Sequence, residues 1–131
     1  FLDLALGNQG SNDVSILLGD GAGNFTGPTS FGTASIPASV AVGDLDGNGN
    51  LDIAVSNFAS GNVSILRGRG DGTFAAAVNI DVGTTPRSVV IGDFDAVPGP
   101  DLAVANGGSA TVSILLNDGG MIPVELSEFE V

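Results

Sequence analysis

Apolar residues along this chain come in short bursts separated by glycine, asparagine, aspartate and serine, and none of the bursts carries the i, i+3, i+4 stripe of a helix. Valine and isoleucine dominate them, and breakers bound each one. In the central stretch the bursts predict four strands: SVAVG at 39–43, LDIAVSN at 51–57, NVSILRG at 62–68 and FAAAVNIDV at 74–82. The connecting pieces DLDGNGN, FASG and RGDGT are rich in turn formers. The pattern predicts an all-β protein built from short strands and tight turns.

The bursts repeat. Asp3, Asp52 and Asp101 are spaced by 49 residues, as are Asp44 and Asp93, and Phe25 and Phe74. In this register DLALGNQGSNDVSILL, DIAVSNFASGNVSILR and DLAVANGGSATVSILL superpose without gaps, and nine of sixteen positions agree between 51–66 and 100–115. A period near 50 residues holding four antiparallel strands is the signature of a β-propeller blade. The units run over about 1–33, 34–82 and 83–120, with a tail at 121–131 that leaves the repeat and could open a following domain. The chain spans about 2.7 periods, whereas closure takes about four or more blades. An open fragment is expected, with neighbouring blades missing. Phe25 and Phe74, each just after a tight turn, are expected to pack between blades.

Composition removes most chemistry. There is no cysteine, histidine, lysine, tyrosine or tryptophan, so thiol, imidazole and Schiff-base catalysis, disulfides and the usual zinc sites are excluded within this chain. No catalytic residue and no organic cofactor site is expected, and the protein is read as a non-enzyme. Fifteen acidic residues face three arginines, giving a net charge of −12, which disfavours nucleic acid and anionic membrane surfaces. No apolar run approaches the roughly 18 residues of a membrane span.

What remains is oxygen chemistry in one loop. GDLDGNGNLD places Asp44, Asp46 and Asn48 at loop positions one, three and five, Gly49 at six, Asn50 at seven and Asp52 at nine. Three carboxylates within about 5 Å repel by roughly 3 kcal/mol per pair at an effective dielectric of about 20, a cost that a divalent cation removes. Calcium takes oxygens from alternate loop positions and tolerates irregular geometry, whereas magnesium demands a strict octahedron. Asp44, Asp46, Asn48, Asn50 and Asp52 are therefore the candidate ligands of a Ca²⁺ ion, Asn50 through its carbonyl. The alternative is that aspartate and asparagine merely form the turn. In the second copy, DFDAVPGPD, Asp93, Asp95 and Asp101 keep positions one, three and nine, but Val97 and Pro98 replace the fifth-position oxygen and the glycine. Weaker binding is expected there. Phe1-Leu2-Asp3 matches the last three positions of a further copy.

The pattern GDGxGxF … SVAVGDxDGxGxxDxAVxN … VSILL resembles the FG-GAP and VCBS-type repeats that form β-propeller blades in integrin α heads and in many secreted bacterial proteins. Where integrin-type repeats carry Gly-Ala-Pro after the second strand, this chain has Ser56-Asn57-Phe58, so it is closer to the bacterial VCBS-like branch. The resemblance implies an extracellular or cell-surface module of a secreted bacterial protein that binds a protein or glycan ligand or acts in adhesion. The alternative is a non-catalytic accessory module of a secreted, polysaccharide-active enzyme. Arg69-Gly70-Asp71 spells an adhesion tripeptide but aligns with Asp20-Gly21-Ala22 in a repeat hairpin, and is read as a turn.

Overall fold

Turn residues cut the chain into three antiparallel meanders, in each of which every strand pairs with its neighbour in sequence. The computed structural model describes residues 1–118 and 125–131. β1 (Leu4–Asn8), β2 (Asp13–Gly19) and β3 (Phe25–Gly32) form the first sheet. β4 (Pro37–Gly43), β5 (Asp52–Asn57), β6 (Asn62–Leu66) and β7 (Val78–Asp81) form the second, and β8 (Pro86–Gly92), β9 (Asp101–Asn106), β10 (Thr111–Leu116) and β11 (Glu125–Glu130) the third. The architecture is all-β, an open run of propeller blades. β1 corresponds to β5 and β9, and among the described residues no strand pairs with β1 on the side that β4 and β8 take in the other two sheets.

The 49-residue register continues into the tail. Ser113 lies opposite Glu128 as Ser64 lies opposite Asn79. Residues 121–124 of the tail fall outside the described residues.

The predicted fourth strand of the central unit starts later than the sequence suggests, at Val78 rather than Phe74. Phe74 makes only a lone bridge to Gly68, closing the RGDGT hairpin, and the pairing slips by one residue before Val78 meets Ile65. The same slip occurs in β3, between Ile16 and Leu18. An extra residue on one strand is a β-bulge, which bends and twists the outer strand.

Packing follows from where each blade finds a neighbour. Val14 and Ile16 of the first sheet meet Ile53, Val55 and Leu66 of the second. On its other face the second sheet presents Ala54, Val63 and Ile65 to Val89, Leu102, Val104 and Leu115 of the third. β5, covered on both faces, is buried at every position. That explains why Ile53, Ala54 and Val55 follow one another without a polar alternation. β4 and β8 lie side by side, with the Val89 amide 3.4 Å from Ser39 Oγ and Ile91 against the Gly43 backbone.

The chain enters these two strands through left-handed residues, Ile36 (φ 58°) and Thr85 (φ 48°), each followed by proline. Such a conformation costs a β-branched residue about 1–3 kcal/mol and persists only when its surroundings hold it. Here the carbonyls of Ile36 and Thr85 accept the amides of Phe58 (2.8 Å) and Gly107 (3.0 Å). The Ile36 amide donates to Asn12 Oδ1 of the preceding blade at 2.8 Å.

The two equivalent phenylalanines part company. Phe74 packs edge-on against Phe31 of the first sheet, with ring centroids 5.2 Å apart. Phe25 does not pack between blades as its alignment with Phe74 suggests; it is 43% exposed, with no blade found against it among the described residues. Phe74→Ala is therefore expected to destabilise the protein by about 2–4 kcal/mol, towards the range for truncating a packed aromatic, and Phe25→Ala by less than about 1 kcal/mol. Urea unfolding of the two variants checks this, and equal losses would contradict the assignment of the covered face.

Candidate metal centre

The loop between β4 and β5 folds around Asp44. Asp44 Oδ1 accepts the amides of Gly47 (2.9 Å) and Asn48 (3.1 Å), and its Oδ2 accepts that of Gly49 (2.8 Å). Asp46 Oδ1 receives the Asn48 amide at 3.2 Å, and Asn48 Oδ1 receives that of Asn50 at 2.7 Å. So tight a coil needs left-handed turns, supplied by Gly47 (φ 74°) and Gly49 (φ 87°). The result brings one carboxylate oxygen each from Asp44, Asp46 and Asp52 within 4.8 Å of one another. Asn50, by contrast, turns its side-chain oxygen towards the Gly70 backbone in the next hairpin.

The second loop also brings its three carboxylates together, Asp93, Asp95 and Asp101, within the same 4.8 Å. Its scaffold is thinner. Pro98 stands where Gly49 stands and has no amide to give to Asp93. The hydrogen bond from Val97 N to Asp95 Oδ1 (2.7 Å) survives. Asp93 and Asp95 are exposed, whereas Asp44 and Asp46 are half-buried.

The ninth-position aspartate does more than its spacing suggests. Asp52 is fully buried, and both its oxygens hold backbone: Oδ1 accepts the Gly68 amide at 2.8 Å and Oδ2 the Leu45 amide at 2.8 Å. Asp101 repeats this, with Asn117 N on Oδ1 (2.9 Å) and Phe94 N on Oδ2 (2.7 Å). Asp3 holds Gly19 N through Oδ1 at 2.9 Å. One carboxylate thus ties the start of a blade's second strand to the end of its third and, in the two complete blades, to the loop after its first. A carboxylate oxygen carries two lone pairs, so an amide and a cation can share it.

A second repeated network went unread in the sequence. Asn57 Nδ2 donates to Ser64 Oγ (2.8 Å) and Asn62 Oδ1 (2.9 Å), and Ser64 Oγ donates to Asn79 Oδ1 at 2.7 Å. Asn8 does the same with Ser15 and Asp13, and Asn106 with Ser113 and Thr111. The signal was an asparagine seven residues before a serine in each repeat, hidden because VSILL reads as plain apolar strand.

The hairpins GDGAGNF and GRGDGTF are self-contained turns. The Thr73 hydroxyl (2.6 Å) and amide (2.9 Å) both donate to Asp71 Oδ1 and hold its carboxyl below the usual carboxylate range, the hydroxyl contributing most. Asp20 is lowered likewise, first by the Asn24 side chain and then by the amides of Ala22 and Asn24. Because both groups are depressed in the folded state, what they contribute is present above the ordinary aspartate value and is lost as pH falls through the lowered one. Arg69 donates to the Phe74 carbonyl at 2.7 Å, so the residues of the Arg-Gly-Asp stretch are spent on closing the hairpin.

Antiparallel blades of repeated register, two of them with an acidic loop at one end, define a β-propeller-type repeat module. Residues 1–55 match the family model described as the FG-GAP-like repeat, so this part of the chain is similar to that repeat. The same register carries the pattern through the second and third blades. No curated protein matches the chain.

The two roles of the aspartates separate under chelation. With a chelator present, Asp52→Ala is expected to cost about 2–4 kcal/mol, since it leaves two buried amides without an acceptor. Asp46→Ala, near the surface, should then shift stability by no more than about 0.5 kcal/mol. Denaturant melts in chelator decide the matter; equal losses would make Asp46 a structural clamp as well.

Proposed function

We propose that the chain is a calcium-stabilised repeat module of an extracellular β-propeller, serving as a ligand-binding or adhesive scaffold rather than as an enzyme. The observation that carries this reading is the convergence of Asp44, Asp46 and Asp52 on one point, in a loop whose own amides already fix its coil. The donor set fits a hard cation: all oxygen, with further acceptors in Asn48 and the loop carbonyls. When bound, the ion supplies positive charge that offsets the mutual repulsion of the three carboxylates. The chain's own residues hold the coil and anchor it to β5 and β6 through Asp52. Loops of this kind bind calcium at about 10⁻⁴ to 10⁻³ M in extracellular modules, concentrations met outside cells, which favours that location. Asp93, Asp95 and Asp101 offer a poorer second site, and the VCBS-like sequence character agrees with a secreted bacterial protein.

Calcium titration followed by calorimetry tests the reading. The parent should show one site in that range, Asp46→Ala should abolish it, and Val97→Asp with Pro98→Gly should strengthen the second. At a hundredfold excess over the dissociation constant, one site stabilises the fold by roughly 2.7 kcal/mol, so chelation should lower the melting temperature. Binding and melting untouched by Asp46→Ala would leave the aspartates as turn formers only.

A further inference from the structure

We propose that the cleft beside Arg87 and Phe58, at the end of the sheets remote from the acidic loops, is a binding site for a small carboxylate carried on a compact apolar body. The cleft holds about 470 Å³ and is lined by Gln9, Ile36, Ala38, Phe58 and Arg87. That is within the usual size of small-molecule sites. Its place follows from the register: β4 and β5 meet there in the pair Pro37–Asn57, whereas Gly43–Asp52 marks the end that carries the Asp44 loop. Such a site rests on the reading of the chain as a ligand-binding scaffold and uses none of the candidate calcium ligands.

Arg87 is where the chain departs from its own repeat. Its equivalent in β4 is Ala38, and the residues that directly follow β1, β5 and β9 are Gln9, Phe58 and Gly107. Ala38 and Arg87 are each the extra residue at which the pairing slips, between Pro37 and Ser39 and between Pro86 and Ser88. A bulge of this kind re-aims a side chain out of the ladder. Arg87 passes over the backbone of its own blade at Gly107, where a Cβ would come within 2.7 Å of Nε and 2.9 Å of Cδ. Its guanidinium carbon then lies over the Phe58 ring of the preceding blade, 5.1 Å from the centroid. A long side chain at 87, a ring at 58 and no side chain at 107 are three departures from the repeat that fit one another. Gly107 is not in a left-handed conformation, so what it provides is room for the arginine.

The guanidinium so placed is unspent. Arg69 gives a donor to the Phe74 carbonyl, whereas the N–H groups of Arg87 meet no acceptor among the described residues, in a chain with fifteen acidic side chains. A guanidinium is a planar fork that can take both oxygens of one carboxylate. Beside it, exposed Ile36 and Ala38 and the half-buried Phe58 ring offer apolar surface, and Gln9 offers an amide. One fork against mostly apolar walls suits a carboxylate on an apolar body. A sugar or a nucleotide would find too few polar partners there, and inorganic phosphate would leave the apolar walls uncovered. The carboxylate can belong to a free acid or to the C-terminus of a polypeptide ending in an apolar residue, since both present the same chemistry.

The probe is benzoate, titrated into the chain of residues 1–131 in the presence of chelator at constant ionic strength. NMR follows the Arg87 Nε–H and the amides of Phe58 and Gly107. Saturable shifts confined to this end are expected, in about the millimolar range for so small a ligand. Benzamide, which keeps the shape without the charge, and inorganic phosphate should each bind at least about tenfold more weakly. Arg87→Ala restores the residue that β4 carries at the equivalent position, Ala38, and should abolish benzoate binding. Arg87→Lys keeps the charge without the fork and should weaken binding about tenfold, a contrast that stands even if the alanine variant fails to fold. N-acetyl-Gly-Gly-Leu with a free terminus, compared with its amide, separates the two sources. Binding about tenfold tighter than benzoate assigns the site to a polypeptide C-terminus and weaker binding assigns it to a free acid; either upholds it. No shift at millimolar benzoate, equal binding of benzamide or phosphate, or benzoate shifts that survive Arg87→Ala would overturn the proposal and leave Arg87 as a staple between blades. Because chelator is present throughout, that failure would leave the calcium reading untouched.

Discussion

A buried carboxylate in each of the two complete blades holds three pieces of chain together. Asp52 and Asp101 lie out of reach of water, yet neither oxygen is without a donor: each receives an amide from sixteen residues further on and another from seven residues back. Charge-assisted hydrogen bonds to backbone are among the stronger ones, and leaving such a charge buried without them would be prohibitive. The clamp therefore sets where the acidic loop leaves β4 and where it enters β5. Gly68 stands at the clamp's far end because a Cβ there would overlap the Leu51 carbonyl. The cluster of Asp44, Asp46 and Asp52 is a by-product of that anchoring, with a coil wound on one side of a residue that β5 and β6 already hold in place.

Much of this was legible in the sequence, because repetition exposes structure that a single copy conceals. The strands, their antiparallel order and the acidic loop all follow from a spacing of 49 residues and from alternating breakers and apolar runs. Asp44 and Asp46 came together with Asp52 as their spacing implied. The clamp itself was not legible, since spacing marks a residue but not which distant amide it will meet. Phe25 and Phe74 are identical by sequence position and different in environment, because burial depends on whether a neighbouring blade is there. The Asn-Ser network failed to register for another reason. Its polar atoms sit within strands whose composition is apolar, and only their hydrogen bonds make them tolerable inside.

The blades are also electrically lopsided. The acidic loops and the Asp20 and Asp71 hairpins all lie at the strand ends marked by Gly43 and Gly19, so most of the negative charge gathers at one end of the molecule. Arg87, stacked 5.1 Å from the Phe58 ring centre, belongs to the opposite end. Like charges packed at one end repel, which is a reason for the half-buried coil around Asp44 to be held by so many amides of its own. It also means that ionic strength acts on one end of the protein far more than on the other.

The meander connectivity has a kinetic corollary. Every strand finds its partner in the adjacent stretch of chain, with no crossover and no strand borrowed from a distant blade among the described residues. Pairings of low sequence separation close small loops, so each sheet can assemble without waiting for the rest, and the slower step is the docking of one finished sheet on the next. A chain of this kind can add or lose a unit of 49 residues without altering how any other unit reaches its native form.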